Sequence, residues 1–223
     1  GLATVTASYD GRGRPSSLSQ SSGGETRTLS FAYNAQGYLQ TVTDPLGRTV
    51  NYAYDNAGRV TTQTLPDGRQ IQYGYDINGN LVSLTPPGRP GHVFAYTPVD
   101  LTQQYTPPAV DAGDPSTVYA YNADKQLTKI SRPDGQTVNF AYDNAGRLGT
   151  LTTPTGAYAY GYNAAGKLAS IAAPDGSLAY SYGGALLTQT SWTGAVAGTV
   201  GFAYDNDFRL TSVSVNGANP VAY

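Results

Sequence analysis

The sequence predicts an all-β fold: tandem antiparallel β-hairpins of about 21 residues, laid side by side into one long curved or spiralling sheet. Three observations carry that expectation. A tyrosine returns at Tyr33, Tyr54, Tyr75, Tyr96, Tyr121, Tyr142, Tyr162, Tyr182 and Tyr204, in steps of 21, 21, 21, 25, 21, 20, 20 and 22 residues. Two turn signals fall inside each step. Each tyrosine also ends a run that alternates strictly between apolar and small or polar residues.

The first turn follows the tyrosine. It reads DNAG at 55–58 and 143–146, NAAG at 163–166, NAQG at 34–37 and DING at 76–79. Asp and Asn bond their own backbone two residues on, and Gly supplies a positive φ. The element after it starts with Leu or Val and an Arg or Lys, as in RVTTQT, RLGTLT and KLASIA. The second turn is PDG at 66–68, 133–135 and 174–176, or DPLG at 44–47. There Pro presets φ at the first central position. The closing element places Val50, Tyr52 and Tyr54 on one face, as it does Ile71, Tyr73 and Tyr75, or Val138, Phe140 and Tyr142. Two reversals per period make one hairpin per unit, and nine or so hairpins make roughly 18 strands. A sheet of that width curls or closes. Stacked tyrosine rows are expected to pair from strand to strand.

Residues 1–223 are read as a single array, a fragment of a longer chain, because the tyrosine period runs close to both ends and there is no Met. Within it, 97–118 (TPVDLTQQYTPPAVDAGDPSTV) is expected as an irregular Pro-rich insertion that leaves or bends the sheet. It is also where an individual function is most expected, as a docking or binding loop.

Composition excludes several classes. Charged residues are 13% of the chain and the net charge is −2, too weak a field to gather nucleic acid or anionic lipid. With no cysteine there is no disulfide, thiol catalysis or Cys-based metal site. No apolar run reaches the length of a membrane-spanning helix. Nineteen tyrosines against five phenylalanines point to half-wet surfaces, since a buried phenol needs a hydrogen-bond partner.

The motif Tyr-Asp/Asn-x-x-Gly-Arg/Lys-Leu/Val, as in YDNAGRVTTQT, YDNAGRLGTLT and YNAAGKLASIA with PDG midway, resembles the RHS/YD repeat. The resemblance covers essentially the whole chain. It implies a β-strand spiral that builds a hollow shell, as in bacterial Rhs proteins, the C subunits of Tc toxins, wall-associated bacterial proteins and teneurins. It further implies a secreted or cell-surface setting in bacteria. In toxin members the shell encloses a C-terminal toxic polypeptide; in teneurins and wall proteins the role is contact or adhesion. Nothing in 1–223 resembles the toxic domain. DPLGR at 44–48 is similar to the self-cleaving end of the family, but Arg48 stands where that motif has Leu, and it reads as an ordinary turn.

The repeat motif residues are therefore Tyr33, Tyr54, Asp55, Gly58, Tyr75, Asp76, Gly79, Tyr121, Tyr142, Asp143, Gly146, Tyr162, Gly166, Tyr182, Tyr204 and Asp205. Candidate chemistry elsewhere dissolves into the repeat. GYNAAGKL at 161–168 approaches a phosphate-binding loop but lacks the following hydroxyl, and Arg59 and Arg147 stand at the place of Lys167 in aligned units. His92, the one histidine, occupies an apolar position of an aromatic strand. Asp55, Asp143, Asp205, Asp67, Asp134 and Asp175 sit at recurring turns, where side-chain capping accounts for them. Trp192 is singled out as a speculative binding residue for a sugar or partner. No catalytic residue, cofactor or metal ligand is assigned. Two functions compete: a non-enzymatic shell segment enclosing a C-terminal toxin-like polypeptide, and an extracellular adhesive, carbohydrate-binding or filament-forming module. The expected partners are neighbouring repeats, with an enclosed polypeptide or a surface glycan, and open sheet edges predict edge-to-edge self-association. Nucleic acid and a membrane span are not expected.

Overall fold

The computed structural model describes residues 4–109 and 113–223 and forms two compact units, Gly1–Ser116 and Thr117–Tyr223. Every described regular element is a β-strand; no described residue is helical. The first unit holds β1 (Val5–Tyr9), β2 (Pro15–Ser22), β3 (Glu25–Tyr33), β4 (Leu39–Thr43), β5 (Thr49–Tyr54), β6 (Val60–Thr64), β7 (Gln70–Tyr75), β8 (Leu81–Thr85), β9 (His92–Tyr96) and β10 (Thr102–Thr106). The second holds β11 (Thr117–Tyr121), β12 (Leu127–Ser131), β13 (Thr137–Tyr142), β14 (Leu148–Thr153), β15 (Gly156–Tyr162), β16 (Leu168–Ala173), β17 (Gly176–Gly183), β18 (Leu186–Gly194), β19 (Gly198–Tyr204), β20 (Leu210–Val215) and β21 (Ala218–Ala222). Within each unit every strand pairs antiparallel with the next, a plain meander of hairpins.

The Asp-x-x-Gly turns share one geometry. At 55–59 the Gly58 amide donates to the Asp55 carbonyl, and the Asp55 amide donates to the Arg59 carbonyl. Gly58 sits at φ 79. This is a type I turn closed by a left-handed residue, which matches the twist of the flanking strands. Beside each such turn the register slips by one residue: Ala53 faces Thr62, but Tyr54 faces Val60. The same slip recurs at Tyr9, Tyr33, Tyr75, Tyr121, Tyr142, Tyr162, Tyr182 and Tyr204. The bulge explains the Leu-x-x-apolar spacing of the even strands. Leu148 and Leu151 are three apart, so plain alternation would put them on opposite faces. The extra residue instead lets Leu148 face Tyr142 while Leu151 faces Phe140.

The second turns come in two lengths. Pro66-Asp67-Gly68 lies in a five-residue connection between Thr64 and Gln70, with Gly68 at φ 82. Pro174-Asp175 is a two-residue connection between Ala173 and Gly176, and Pro154-Thr155 repeats that geometry between Thr153 and Gly156. The tighter turn is what shortens those repeats from 21 to 20 residues.

The segment 97–118 differs from expectation. Its first ten residues keep the repeat geometry with altered letters. Thr97 replaces Asp, its Oγ1 accepting from Leu101 N at 3.1 Å, and Asp100 replaces Gly at φ 61. Residues 102–106 form β10, paired with β9. Pro98 lies in the turn before the strand and Pro107, Pro108 and Pro115 fall after it, so none costs a ladder bond within it. Residues 110–112 lie outside the described ones.

A second layer is missing from each unit. Among described residues no hydrophobic side chain is buried, and only Ser116 is. Burial is one-sided: in β9 His92, Phe94 and Tyr96 are half-covered while Val93 and Ala95 are exposed. The aromatic face packs laterally, with Phe140 against Leu151 and Leu151 against Tyr158. Among the described residues the tyrosines of successive aromatic strands do not stack on one another as expected; stacking between neighbouring strands is seen at β10, where Tyr105 lies against His92 and Phe94 of β9. An aliphatic strand stands between successive aromatic strands, about 9–10 Å apart, so the ring of Tyr160 meets Ile171 instead. The opposite face is built from small residues; a Cβ on Gly74 or Gly161 would collide with the hydroxyl of Ser83 or Ser170 across the pair.

Candidate functional site

The recurring constellation is a tyrosine latch joined to a turn relay. The latch starts with the bulge, which aims each terminal tyrosine along the sheet at the preceding hairpin. The Tyr54 hydroxyl donates to the Leu39 carbonyl at 2.6 Å, and Leu39 is the residue opposite Tyr33. The same bond runs from Tyr33 to Pro15, Tyr75 to Val60, Tyr96 to Leu81, Tyr142 to Leu127, Tyr162 to Leu148, Tyr182 to Leu168 and Tyr204 to Leu187, at 2.8–3.0 Å. Each phenol thus satisfies a carbonyl that faces the previous tyrosine. Desolvation by burial pushes the Tyr54 and Tyr121 hydroxyls up from the ordinary value, with a smaller contribution from Tyr52 and Tyr119.

The relay begins at the aspartate. Asp55 Oδ1 accepts from the amides of Ala57 and Arg59, and its Oδ2 accepts from Arg59 Nε at 2.7 Å. Asp143 does the same with Ala145 and Arg147. Bonds from Arg59 and Arg147 hold these carboxyls below the usual aspartate range. The arginine, fixed in this way, lies over the tyrosine of the next unit. Arg59 is 4.7 Å from the Tyr75 ring, Arg147 4.3 Å from Tyr162, Arg14 4.1 Å from Tyr33 and Lys167 4.9 Å from Tyr182. The cation also reaches the next turn: Arg59 Nη1 donates to the Asp76 carbonyl, and Lys167 Nζ to the Gly184 carbonyl. Gln126 makes the uncharged version, donating to the Gly146 carbonyl at 2.7 Å.

The motif residues named from sequence meet in this constellation. Gly58, Gly79, Gly146 and Gly166 each close a turn through their amide, and Asp76 accepts from Asn80 where Arg is absent. Asp205 accepts from Asp207 and Arg209, and Arg209 stays exposed. Trp192 stands apart, half-covered in β18 opposite Leu178 and Gly198, its ring filling the space a Cβ at Gly198 would need. His92 bonds Tyr105 at 2.7 Å and lies parallel to it. Gly161–Leu168 runs from strand to turn to strand without a helix. Asp44 in DPLGR accepts from Leu46, Arg48 N and Arg48 Nε, the bonding of any first turn. No group of His, Asp or Glu among the described residues could hold a metal, and no described helix could cross a membrane.

The bulge, the carbonyl acceptor and the cation over the next ring were not read from sequence. The Leu-x-x-apolar spacing and the Arg or Lys after each Gly were the available signals.

A single-layer hairpin array whose units lock one to the next is a structural repeat protein. The chain belongs to the Teneurin YD-shell family, whose model matches residues 1–221. Solved structures share the fold at low identity. The crystal structure of TcdB2-TccC3-Cdc42 is 15% identical over 96% of this chain and 16% of that one, with a TM-score of 0.61. That of TcdB2-TccC3 is 14% identical over 98% of this chain and 18% of that one, with a TM-score of 0.58. The chain thus spans less than a fifth of those proteins. No curated protein sequence matches it. Its role is that of a YD-repeat shell, a structural one.

Proposed function

We propose that this array is a non-enzymatic segment of a shell wall that separates an enclosed polypeptide of the same longer chain from solvent. The observation that carries this reading is the one-sided single layer with no buried hydrophobic residue among those described. A wall with a second layer would need a packed core, whereas this one draws its rigidity from lateral latches and leaves both faces open. The hydroxyls of its terminal tyrosines, Tyr54 and Tyr142 among them, are spent on its own backbone, so those phenols offer a cargo ring surface rather than a donor. The cargo is a C-terminal, toxin-like segment, and the setting is secretion or the surface of a bacterial cell.

The test is limited proteolysis of the longer parent protein. The segment beyond the repeats should resist digestion while the wall is intact. It should become cleavable when latches are removed in a Y142F/Y162F variant. Digestion of that segment at equal rates in both proteins, or particles without an interior space in electron micrographs, would sink the enclosure reading.

A further inference from the structure

The β2–β3 hairpin runs past its neighbours. The ladder between β3 and β4 stops at Ser30 and Thr43, whereas that between β2 and β3 continues to Ser22 and Glu25. Residues 25–29 of β3 are therefore paired on one side only. The hairpin closes through Gly23-Gly24, both left-handed at φ 62 and 85, so Ser22 and Glu25 exchange both ladder bonds. The amide and carbonyl of Thr26 then point away from β2, to the open edge. Its hydroxyl is bonded to that of Ser21 at 2.8 Å. Glu25 and Arg27 flank it on the other face, the one that carries Phe31 and Tyr33. Neither of these two side chains has a hydrogen bond or ion pair among the described residues. A cleft of about 620 Å³ borders the edge, walled by Glu25, Thr26 and Arg27 on one side and by Pro45 and Leu46 of the next turn on the other. Leu46 is 76% exposed, and Arg48 of that turn is already held by Asp44.

We propose that this edge pairs with the same edge of a second copy of the chain, antiparallel about a two-fold axis at Thr26. Edge strands are ordinarily blunted by a charge that repels its own copy. Glu25-Thr26-Arg27 does the reverse, because it carries one charge of each sign on either side of the axis. Glu25 of each copy falls opposite Arg27 of the other, so the two unpaired charges of one chain meet the two of its mate. At the axis Thr26 meets Thr26, and the two exchange their outward amides and carbonyls. That register makes the flanking Glu–Arg positions the closer, non-hydrogen-bonded kind, where side chains interact most. The Gly23-Gly24 tip has no side chain and open space around it, so it can run up to Pro45 and Leu46 of the other copy. The self-complementary order of the charges selects a second copy over a foreign strand, which would have to match it by chance. The shared segment spans only residues 24–28, far short of the roughly 800 Å² per partner of a standard interface. The dimer is accordingly weak and concentration-dependent.

The experiment is sedimentation equilibrium of the full chain over a wide concentration range. Reversible dimers are expected, and added salt should weaken them by screening the exposed charge pairs. E25R and R27E each set like charges opposite one another at both pairs, and each should weaken dimerisation by about tenfold or more. Mixing the two variants should restore association as a heterodimer, since every facing pair is then of opposite sign. The double variant E25R/R27E should restore it as a homodimer. Either rescue also shows that the singly substituted chains fold. A monomer at every concentration would overturn the proposal and leave the edge to a strand of another protein. Association that E25R and R27E leave unchanged runs through some other surface and would overturn it as well, as would failure of both the mixture and the double variant to restore it.

Discussion

The two rows of turns in each unit differ in how much they touch. At the first row, successive turns are tied by a phenol-to-carbonyl bond, and at Arg59 and Lys167 also by a cation over the next ring and a donor to the next turn's carbonyl. At the Pro-Asp-Gly row, the pairs are confined to their own turn: Arg69 with Asp67 and Arg132 with Asp134, both largely exposed. Similar letters occur at both rows, yet only one row carries coupling between units. The difference lies in the bulge, which is found beside first turns, as at Tyr54, and not beside second turns such as 44–48 and 65–69, and which turns the tyrosine outward along the sheet.

Glycine substitution gives the largest expected contrast. Gly58 and Gly68 share a left-handed φ, 79 and 82, but a Cβ meets the Tyr38 hydroxyl at one and open space at the other. G68A should cost about 1 kcal/mol for the backbone alone. G58A should cost roughly 2–3 kcal/mol, since displacement of a packed ring adds to it. Urea denaturation of the two variants measures both, and equal losses would erase the distinction between rows.

Latch removal comes next. Y142F and Y162F each strip a hydroxyl from a carbonyl and should cost about 1 kcal/mol. Y160F, whose ring packs on Ile171 without a latch, should stay within about 0.5 kcal/mol. Denaturation midpoints that ranked Y160F with the latch variants would show that the hydroxyl bond adds nothing. Loss of the relay cation is smaller again. K167A should cost about 0.5–1 kcal/mol, and R69A, at the exposed second row, close to nothing.

Acid should reach both rows of turns through their aspartates. Asp10, Asp44, Asp55 and Asp143 all have carboxyls lowered from 3.8 by bonds from Arg14, Arg48, Arg59 and Arg147. A depressed folded value means that their stabilisation is complete above the unfolded value and fades as pH falls through it toward the folded one. Stability should therefore be flat from neutral to mildly acidic pH and decline below about pH 4. In a D55N/D143N variant the decline should be shallower. A thermal midpoint that already fell between pH 7 and 5 would point to another group.

Sequence legibility follows a physical divide. Turn chemistry is local, so Gly58, Gly146 and Pro66 declare their reversals, and alternation marks the face of Tyr52 and Tyr54. The aromatic strands read correctly because each keeps period 2 to its end. The even strands did not read as bulged, since no residue type is reserved for the inserted position; only the three-residue step from Leu39 to Val42 or Leu168 to Ile171 betrays it. The acceptor of each tyrosine is a backbone carbonyl about 15 residues back, and a carbonyl has no letter. Thr97 and Asp100 hid an ordinary turn, because a hydroxyl can replace a carboxylate as a cap and Asp can enter the left-handed region. Tyr38 and Asn80 were readable as breaks in the Arg or Lys column, though where the Tyr38 ring falls, on Tyr54, was not.

The latch has a consequence for inheritance. Tyr96 needs a carbonyl opposite the preceding tyrosine, and it is indifferent to which preceding tyrosine that is. Excision of residues 55–75 would bring Tyr54 to Asp76 and leave Leu81 facing Tyr54, ready for Tyr96. The DNA encoding such a chain can therefore gain or lose whole periods by recombination between its own similar stretches, with every junction closing as before. Cuts of any other length would strand a tyrosine without its carbonyl. Array length is thus free to drift in quanta, and a wall can be resized without being redesigned.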